Sequence, residues 1–335
     1  MFKNLTIWLK KNFTMGLTAS SISTEGELIE EYYNKVFVNE LRSNLVFAGW
    51  GLMGRHPRNS GELVHWLSLQ DFSAAGALTE GTDPTENTLS AGDQTAVLAQ
   101  YGQTVQLSDI LQGTWVPQSL VEVMERLARS AALEVDTEIR DACFTANGGV
   151  QYAGTAVARN SIATDGSFDV DMAEIREAVH TLESSNAQPF SDRLYRGVIH
   201  SDVKYDLQAD TAHWQEVLKH TESGLRDLRG TNAASNGRGN GVAGVLNGVE
   251  FIQSNQALKM VASGSASTDV YQSYVFGEEH YGVSQFQDVQ TIIKNPSPSS
   301  SLDLYGTFGY KMGFATKELN SSRMVRLESG AAMGD

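Results

Sequence analysis

Seven histidines (His56, His65, His180, His200, His213, His220 and His280) and one cysteine, Cys143, are the side chains best suited to ligate a metal or move a proton near neutral pH. A zinc site needs such residues at close, regular spacing, as in H-E-x-x-H on a helix or in paired cysteines. None of the histidines falls in such a pattern or beside a tight acidic cluster, so no metal is expected. Glu278-Glu279-His280 sets acids beside a base, the combination that proton transfer requires, but no G-x-S-x-G nucleophile motif accompanies it. A solvated loop or helix end is the expectation there. Gly239-Asn240-Gly241-Val242-Ala243-Gly244 matches G-x-G-x-x-G, the loop that cradles a dinucleotide, yet it follows Leu228-Arg229-Gly230-Thr231-Asn232-Ala233 and not a buried strand. It reads as a flexible loop entering a strand, and no cofactor is expected. Cys143 has no basic or histidine neighbour in sequence to lower its thiol pKa, so it reads as a small apolar group packed in a core. A lone cysteine makes no intrachain disulfide, and a reducing cytoplasm suits the chain. No catalytic site is assembled, and an enzyme is not expected.

The chain has 335 residues, enough for one large core or two joined subdomains. Its net charge of -15, from 25 basic and 40 acidic residues, repels nucleic acid and anionic membranes, so tight DNA binding is disfavoured. No apolar run reaches the roughly 18 residues that span a bilayer, and Lys10, Lys11 and Asn12 interrupt a signal-peptide core. Phe2, Leu5, Leu9 and Phe13 at helical spacing leave three readings of the N-terminus open: a small basic amphipathic helix, an arm, or a chain that truly starts at Met15.

Several elements stand out. Leu28, Ile29, Tyr32, Val36, Phe37 and Leu41 share one face of a helix expected over Glu25 to Leu45. Glu62 to Leu69 and Gln94 to Leu107 are rich in branched, aromatic and threonine residues and read as two strands. The turn formers between them, Thr79, Glu80, Gly81, Thr82, Asp83 and Pro84 among them, make a long hairpin with an exposed tip. A long two-stranded hairpin is marginal alone, so it must lie on its own domain or on a neighbouring subunit. From Pro117 to Thr145, Leu120, Met124, Leu127, Ala131, Val135, Ile139 and Ala142 step along one face of a helix about 40 Å long at ~1.5 Å per residue, a spine for the domain. Asn147-Gly148-Gly149 stops it. A further helix over Asp169 to Glu183, capped by Asp169 and Asp171, turns Ile175, Val179 and Leu182 inward. After Pro189 short pieces such as Arg196 to Ser201, Trp214 to Lys219 and Val242 to Ile252 imply a mixed, loop-rich subdomain. The Pro/Ser tract Asn295 to Ser301 bounds it, and the alternation from Tyr305 to Leu327 is expected to rejoin the first subdomain.

The order of these parts resembles the α+β Hong Kong 97-type fold of tailed-phage major capsid proteins. Tyr32-Tyr33-Asn34-Lys35-Val36-Phe37, Leu78 to Pro84, Gln100 to Asp109, Gly241 to Phe251, Gly306 to Lys311 and Met324 to Leu327 resemble, more narrowly, the capsid family named after coliphage N-four. The resemblance implies an N-terminal arm (1–24), an N-terminal helix region (25–57) and an extended loop (58–108) lying over the next subunit. It further implies a peripheral domain with the spine helix (109–188), an axial domain (189–301), and return strands with a C-terminal tail (302–335). The implied function is self-assembly, in the host bacterial cytoplasm, into hexamers and pentamers of an icosahedral virion shell. That shell encloses double-stranded DNA without sequence-specific binding, and its implied partners are further copies with portal, scaffold or decoration proteins. Shells of this fold that weld neighbours through a loop lysine set a contrast: no lysine lies between Lys35 and Lys204, so no such crosslink is expected. An encapsulin-like nanocompartment shell is the alternative, and a soluble enzyme the third.

Overall fold

The computed structural model describes residues 34–41, 45–57, 59–69, 81, 91–114, 119–145, 149–163, 166–209, 242–294 and 297–332. The expected arm, the first part of the N-terminal helix, Pro117, Asn147-Gly148 and the piece at Trp214 to Lys219 lie outside these residues. Residues 34–41 form helix α1, with Phe37, Val38 and Leu41 buried as its apolar spacing requires. A single turn at Phe47–Gly49 leads into strand β1 (Leu52–Arg55).

β2 (Leu63–Leu69) and β3 (Ala91–Val97) pair antiparallel, from Leu63 opposite Val97 to Leu69 opposite Ala91. The expected return strand from Gln94 to Leu107 is in fact two strands. Leu98 N–H donates to Glu62 O at 3.0 Å and closes the hairpin base, after which β4 (Ala99–Ser108) takes a new partner in another sheet. The unbroken alternation of side chains across Leu98 conceals the change of partner, because alternation reports the pleat and not the neighbour.

After α2 (Asp109–Thr114) comes the spine helix α3 (Ser119–Ile139). Met124, Leu127, Ala131 and Ile139 are buried and Val135 packs half-buried beside them; the Leu120 side chain lies outside the described residues. Ala142, expected inward, is exposed, because the last turn (Arg140–Thr145) is a π-turn. Its wider turn rotates the phase and brings Cys143 and Phe144 inward instead. After β5 (Val150–Tyr152), helix α4 (Met172–Ser184) starts three residues later than Asp169, the distance from 169 to 172. Asp171 caps it by accepting the Ala173 and Glu174 N–H groups, while the Glu174 carboxylate accepts the Asp171 N–H at 3.1 Å. Ile175, Ala178, Val179 and Leu182 are buried.

The remaining elements are β6 (Tyr195–Ile199), α5 (Ser201–Ala209), β7 (Val242–Leu246), β8 (Val249–Gln253), β9 (Lys259–Met260), β10 (Val270–Phe276), β11 (Tyr281–Lys294), β12 (Tyr305–Glu318) and β13 (Met324–Ser329). A seven-stranded mixed sheet runs β5-β13-β10-β6-β8-β7 with β9 beside β10, so the region expected to be loop-rich is largely sheet in its described part. The piece at Val242 to Ile252 is itself a hairpin, turned at Asn247-Gly248, where both residues have positive φ (48° and 80°). A four-stranded sheet runs β1-β11-β12-β4. The returning chain therefore serves both sheets: β12 joins β4 and β11, whereas β13 joins β10 and β5.

Two cores result. α1, α3 and the four-stranded sheet enclose one; α4, α5 and the seven-stranded sheet enclose the other. Phe144 is the joint, with ring centroids of Phe47, Tyr274, Phe276 and Tyr281 at 5.0, 5.3, 5.0 and 5.1 Å. Tyr274 and Phe276 belong to one sheet and Tyr281 to the other. Beside this joint Glu328, fully buried, accepts two hydrogen bonds from Arg159 at 2.8 and 2.7 Å and one from Gln272 at 3.1 Å. A carboxylate so enclosed needs these donors to offset its lost hydration.

Candidate assembly surface

The chemistry-bearing residues do not converge. His280, expected in a solvated loop, is buried: its ring lies 3.0 Å from Asn320 O and 2.9 Å from Cys143 O and edge-on to Phe144. It ties the end of the spine helix to the β12–β13 connection, and burial lowers its pKa. Glu279 pairs instead with Arg323 at 2.9 Å. Cys143 is buried and free, and burial pushes its thiol up to about 12, the opposite of an activated nucleophile. Ser201 and Asp202 both approach the same ring nitrogen of His200, Nδ1, so no proton relay runs through that ring. Of the G-x-G-x-x-G stretch, residues 242–244 lie in strand β7, where the dinucleotide motif calls for a helix. Among the described residues no group of three or more histidine, cysteine, aspartate or glutamate side chains is placed to hold a metal. No helix of the described residues is long and apolar enough to cross a membrane.

The surface with a distinctive chemistry is the β2–β3 hairpin and the sheet it stands on. Of the tip residues, Gly81 is described, with φ of +81°; Thr79, Glu80, Thr82, Asp83 and Pro84 lie outside the described residues. The hairpin's inner face carries Val64, which is buried, and Trp66, whose ring rests on Gly282 at the start of β11. A Cβ at Gly282 would come within 2.7 Å of the indole Nε1, so glycine makes the seat. By alternation the outer face carries Leu63, His65 and Leu67 opposite Val97, Thr95 and Asp93. Leu67 is 70% exposed, Val97 62% and Leu63 48%, an apolar strip on an element that ordinarily shows polar groups to water. His65 and Asp93 pair across it at 2.8 Å. The strip is legible in sequence only once the register is known, when Leu63, Leu67 and Val97 fall on one face. A second exposed apolar group, Ile110, Leu111, Leu302 and Leu304, lies where Asp109 N–H donates to Leu304 O, at the far end of the same sheet.

No family model matches the chain, and neither does any curated protein. Solved structures do. The capsid of Ralstonia phage GP4 superposes with a TM-score of 0.63 at 13% identity, covering 86% of this chain and 92% of that one. The chain has the Hong Kong 97-type fold. The capsid of cyanophage Pam1 agrees at a TM-score of 0.57 and 14% identity over 82% and 87% of the two chains. That of cyanophage P-SCSP1u agrees at 0.56 and 14% over 95% and 93%.

Proposed function

We propose that this chain is the major capsid protein of a tailed bacteriophage: a structural subunit, not an enzyme, that assembles with copies of itself. The observation that carries the reading is agreement with phage capsid subunits over 82% to 95% of the chain. The apolar strip of Leu63, Leu67 and Val97, exposed among the described residues, adds to it, because a second copy of the chain would give such a strip cover. Closed symmetry would repeat each weak contact many times, in hexamers and pentamers of an icosahedral shell. The spine helix with the four-stranded sheet would be the peripheral part, and the seven-stranded sheet the axial part. The short stretches quoted above support placement near the coliphage N-four-like capsids. Virion location, synthesis in a bacterial cytoplasm, enclosure of DNA without sequence-specific binding, and portal, scaffold or decoration partners belong to the same reading. The chain's net charge of -15 supports a wall that leaves packaged DNA free to slide.

The test is expression followed by size exclusion and negative-stain electron microscopy of the void volume, across salt and magnesium conditions. Closed shells or capsomer rings are expected; monomers under every condition, with and without coexpressed phage head proteins, would sink the reading.

A further inference from the structure

Among the described elements the chain passes between its two cores at three places: from the spine helix to β5 between Thr145 and Val150, from β10 to β11 between Phe276 and Tyr281, and from β12 to β13 between Glu318 and Met324. His280 lies on the second crossing and is bonded to the other two. Its ring nitrogens stand 2.9 Å from Cys143 O, at the end of the spine helix, and 3.0 Å from Asn320 O, on the third crossing. Its own carbonyl accepts the Leu319 N–H at 2.8 Å and the Asn320 N–H at 3.1 Å. The Gly277 N–H, donating to Arg323 O at 2.9 Å, ties the second crossing to the third once more.

Both partners of the ring are carbonyl oxygens, which only accept. A neutral imidazole has one N–H and satisfies one of them, so the other faces a ring lone pair. The imidazolium would satisfy both, but it would put a charge in a buried site walled by the rings of Phe144, Phe276 and Tyr281, with centroids 5.2, 6.3 and 5.9 Å away. Among the described residues no charged side chain is bonded to the ring: Glu279 pairs with Arg323, Asp136 accepts the Val46 and Phe47 N–H groups, and Glu318 and Lys317 flank the Cys143 thiol. An unpaired buried charge costs more than one added hydrogen bond returns. Burial accordingly lowers the His280 pKa. Burial also pushes the Cys143 thiol and the Tyr274 phenol up to about 12 and the Tyr281 phenol well above its ordinary value, which leaves Asp136, at about 6, as the other group of the joint that titrates near neutrality.

We infer that His280 is an acid-released clasp: while neutral it holds the three crossings together, and on protonation it leaves its carbonyl partners for water and lets the crossings open while both cores stay folded. In the open clasp the ring is hydrated and titrates near the ordinary histidine value of about 6.5, whereas the closed clasp resists the proton. Closure is therefore complete above about 6.5 and weakens as pH falls below it, the ratio of open to closed rising by up to about tenfold per pH unit. The inference concerns the subunit itself and stands apart from the shell reading.

Native-state amide exchange on the full chain, taken from about pH 7.5 to about pH 5 and corrected for the intrinsic exchange rate, tests it. The reference chain carries Asp136→Asn, which removes the opposing titration. In that chain the Gly277, Leu319 and Asn320 amides are expected to lose protection by about tenfold or more over the range, while those of α3 and β10 keep theirs. Adding His280→Gln, uncharged at every pH and still both donor and acceptor, is expected to abolish the loss. Should that variant fail to fold, NMR titration of the His280 ring in the reference chain, recognised by its contact with the Phe144 ring, is expected to show protonation below about 6.5 together with the loss of protection. A His280 ring that titrates at or above about 6.5 would overturn the inference. So would protection at the crossings that stays constant or rises with acid, that falls equally in the His280→Gln chain, or that is lost together with the protection of α3 and β10.

Discussion

Asp136 lies buried on the spine helix, accepting the Val46 N–H at 2.8 Å and the Phe47 N–H at 3.0 Å. It thereby fixes the turn that carries Phe47 into the aromatic joint. Burial pushes its carboxyl up to about 6, against those backbone donors and the charge of Arg140, which pull it down. An unfolded aspartate titrates near about 3.9, so between these values the folded chain holds a proton that the unfolded chain has released. The Asp136 contribution therefore increases subunit stability as pH falls through about 6 towards about 4, by on the order of 2 kcal/mol in all and about 1 kcal/mol between about pH 7 and about pH 5. Asp136→Asn, neutral at every pH, should lack that increase in thermal unfolding measured at about pH 7 and about pH 5. An unaltered pH dependence in the variant would contradict the assignment. His280 works in the opposite direction: its pKa is lowered by burial, so its contribution is complete above about 6.5 and declines as pH falls through it. The comparison must therefore be variant against parent, since the parent alone sums both signs. At the joint itself, Phe144→Ala removes a fully buried ring between the two sheets and should cost about 3–5 kcal/mol in denaturant unfolding of the subunit.

At the scale of elements, the hairpin is held to its own body by Trp66 on Gly282, so Gly282→Val should displace it while the two cores stay folded. Faster amide exchange confined to β2 and β3, with lower particle yield, is the expected result; unchanged exchange there would show the seat to be unimportant. The elements also show what can be read from sequence. The spine helix and α4 are legible because their apolar residues repeat at helical spacing and Asp171 sits three residues before Glu174, a local signal for a local structure. The π-turn at Arg140–Thr145 is not legible, since its wider turn follows from Cys143 and Phe144 being drawn into the core and not from local propensity. The change of partner at Leu98 and the burial of His280 likewise depend on distant chain, β12 and Asn320. The Asn247-Gly248 turn was legible: asparagine-glycine between two apolar runs marks a hairpin, and the long stretch read as one piece obscured it.

At the scale of the whole molecule, the chain offers no lysine between Lys35 and Lys204, so the β2–β3 hairpin supplies none for a covalent bond to a neighbour. Denaturing gels of mature particles should show single chains, and a ladder of covalent multimers would contradict this. Stability of a particle must then come from many repeated non-covalent contacts, with each subunit able to detach and correct its position during assembly. The most direct test of that account is an electron cryomicroscopy reconstruction of particles formed by the expressed chain. The account predicts a closed icosahedral shell whose subunits have two cores joined at Phe144, with each hairpin lying on an adjacent subunit. A reconstruction of an isolated subunit or small open oligomer, with the hairpin folded back and its apolar strip covered by its own chain, would contradict it.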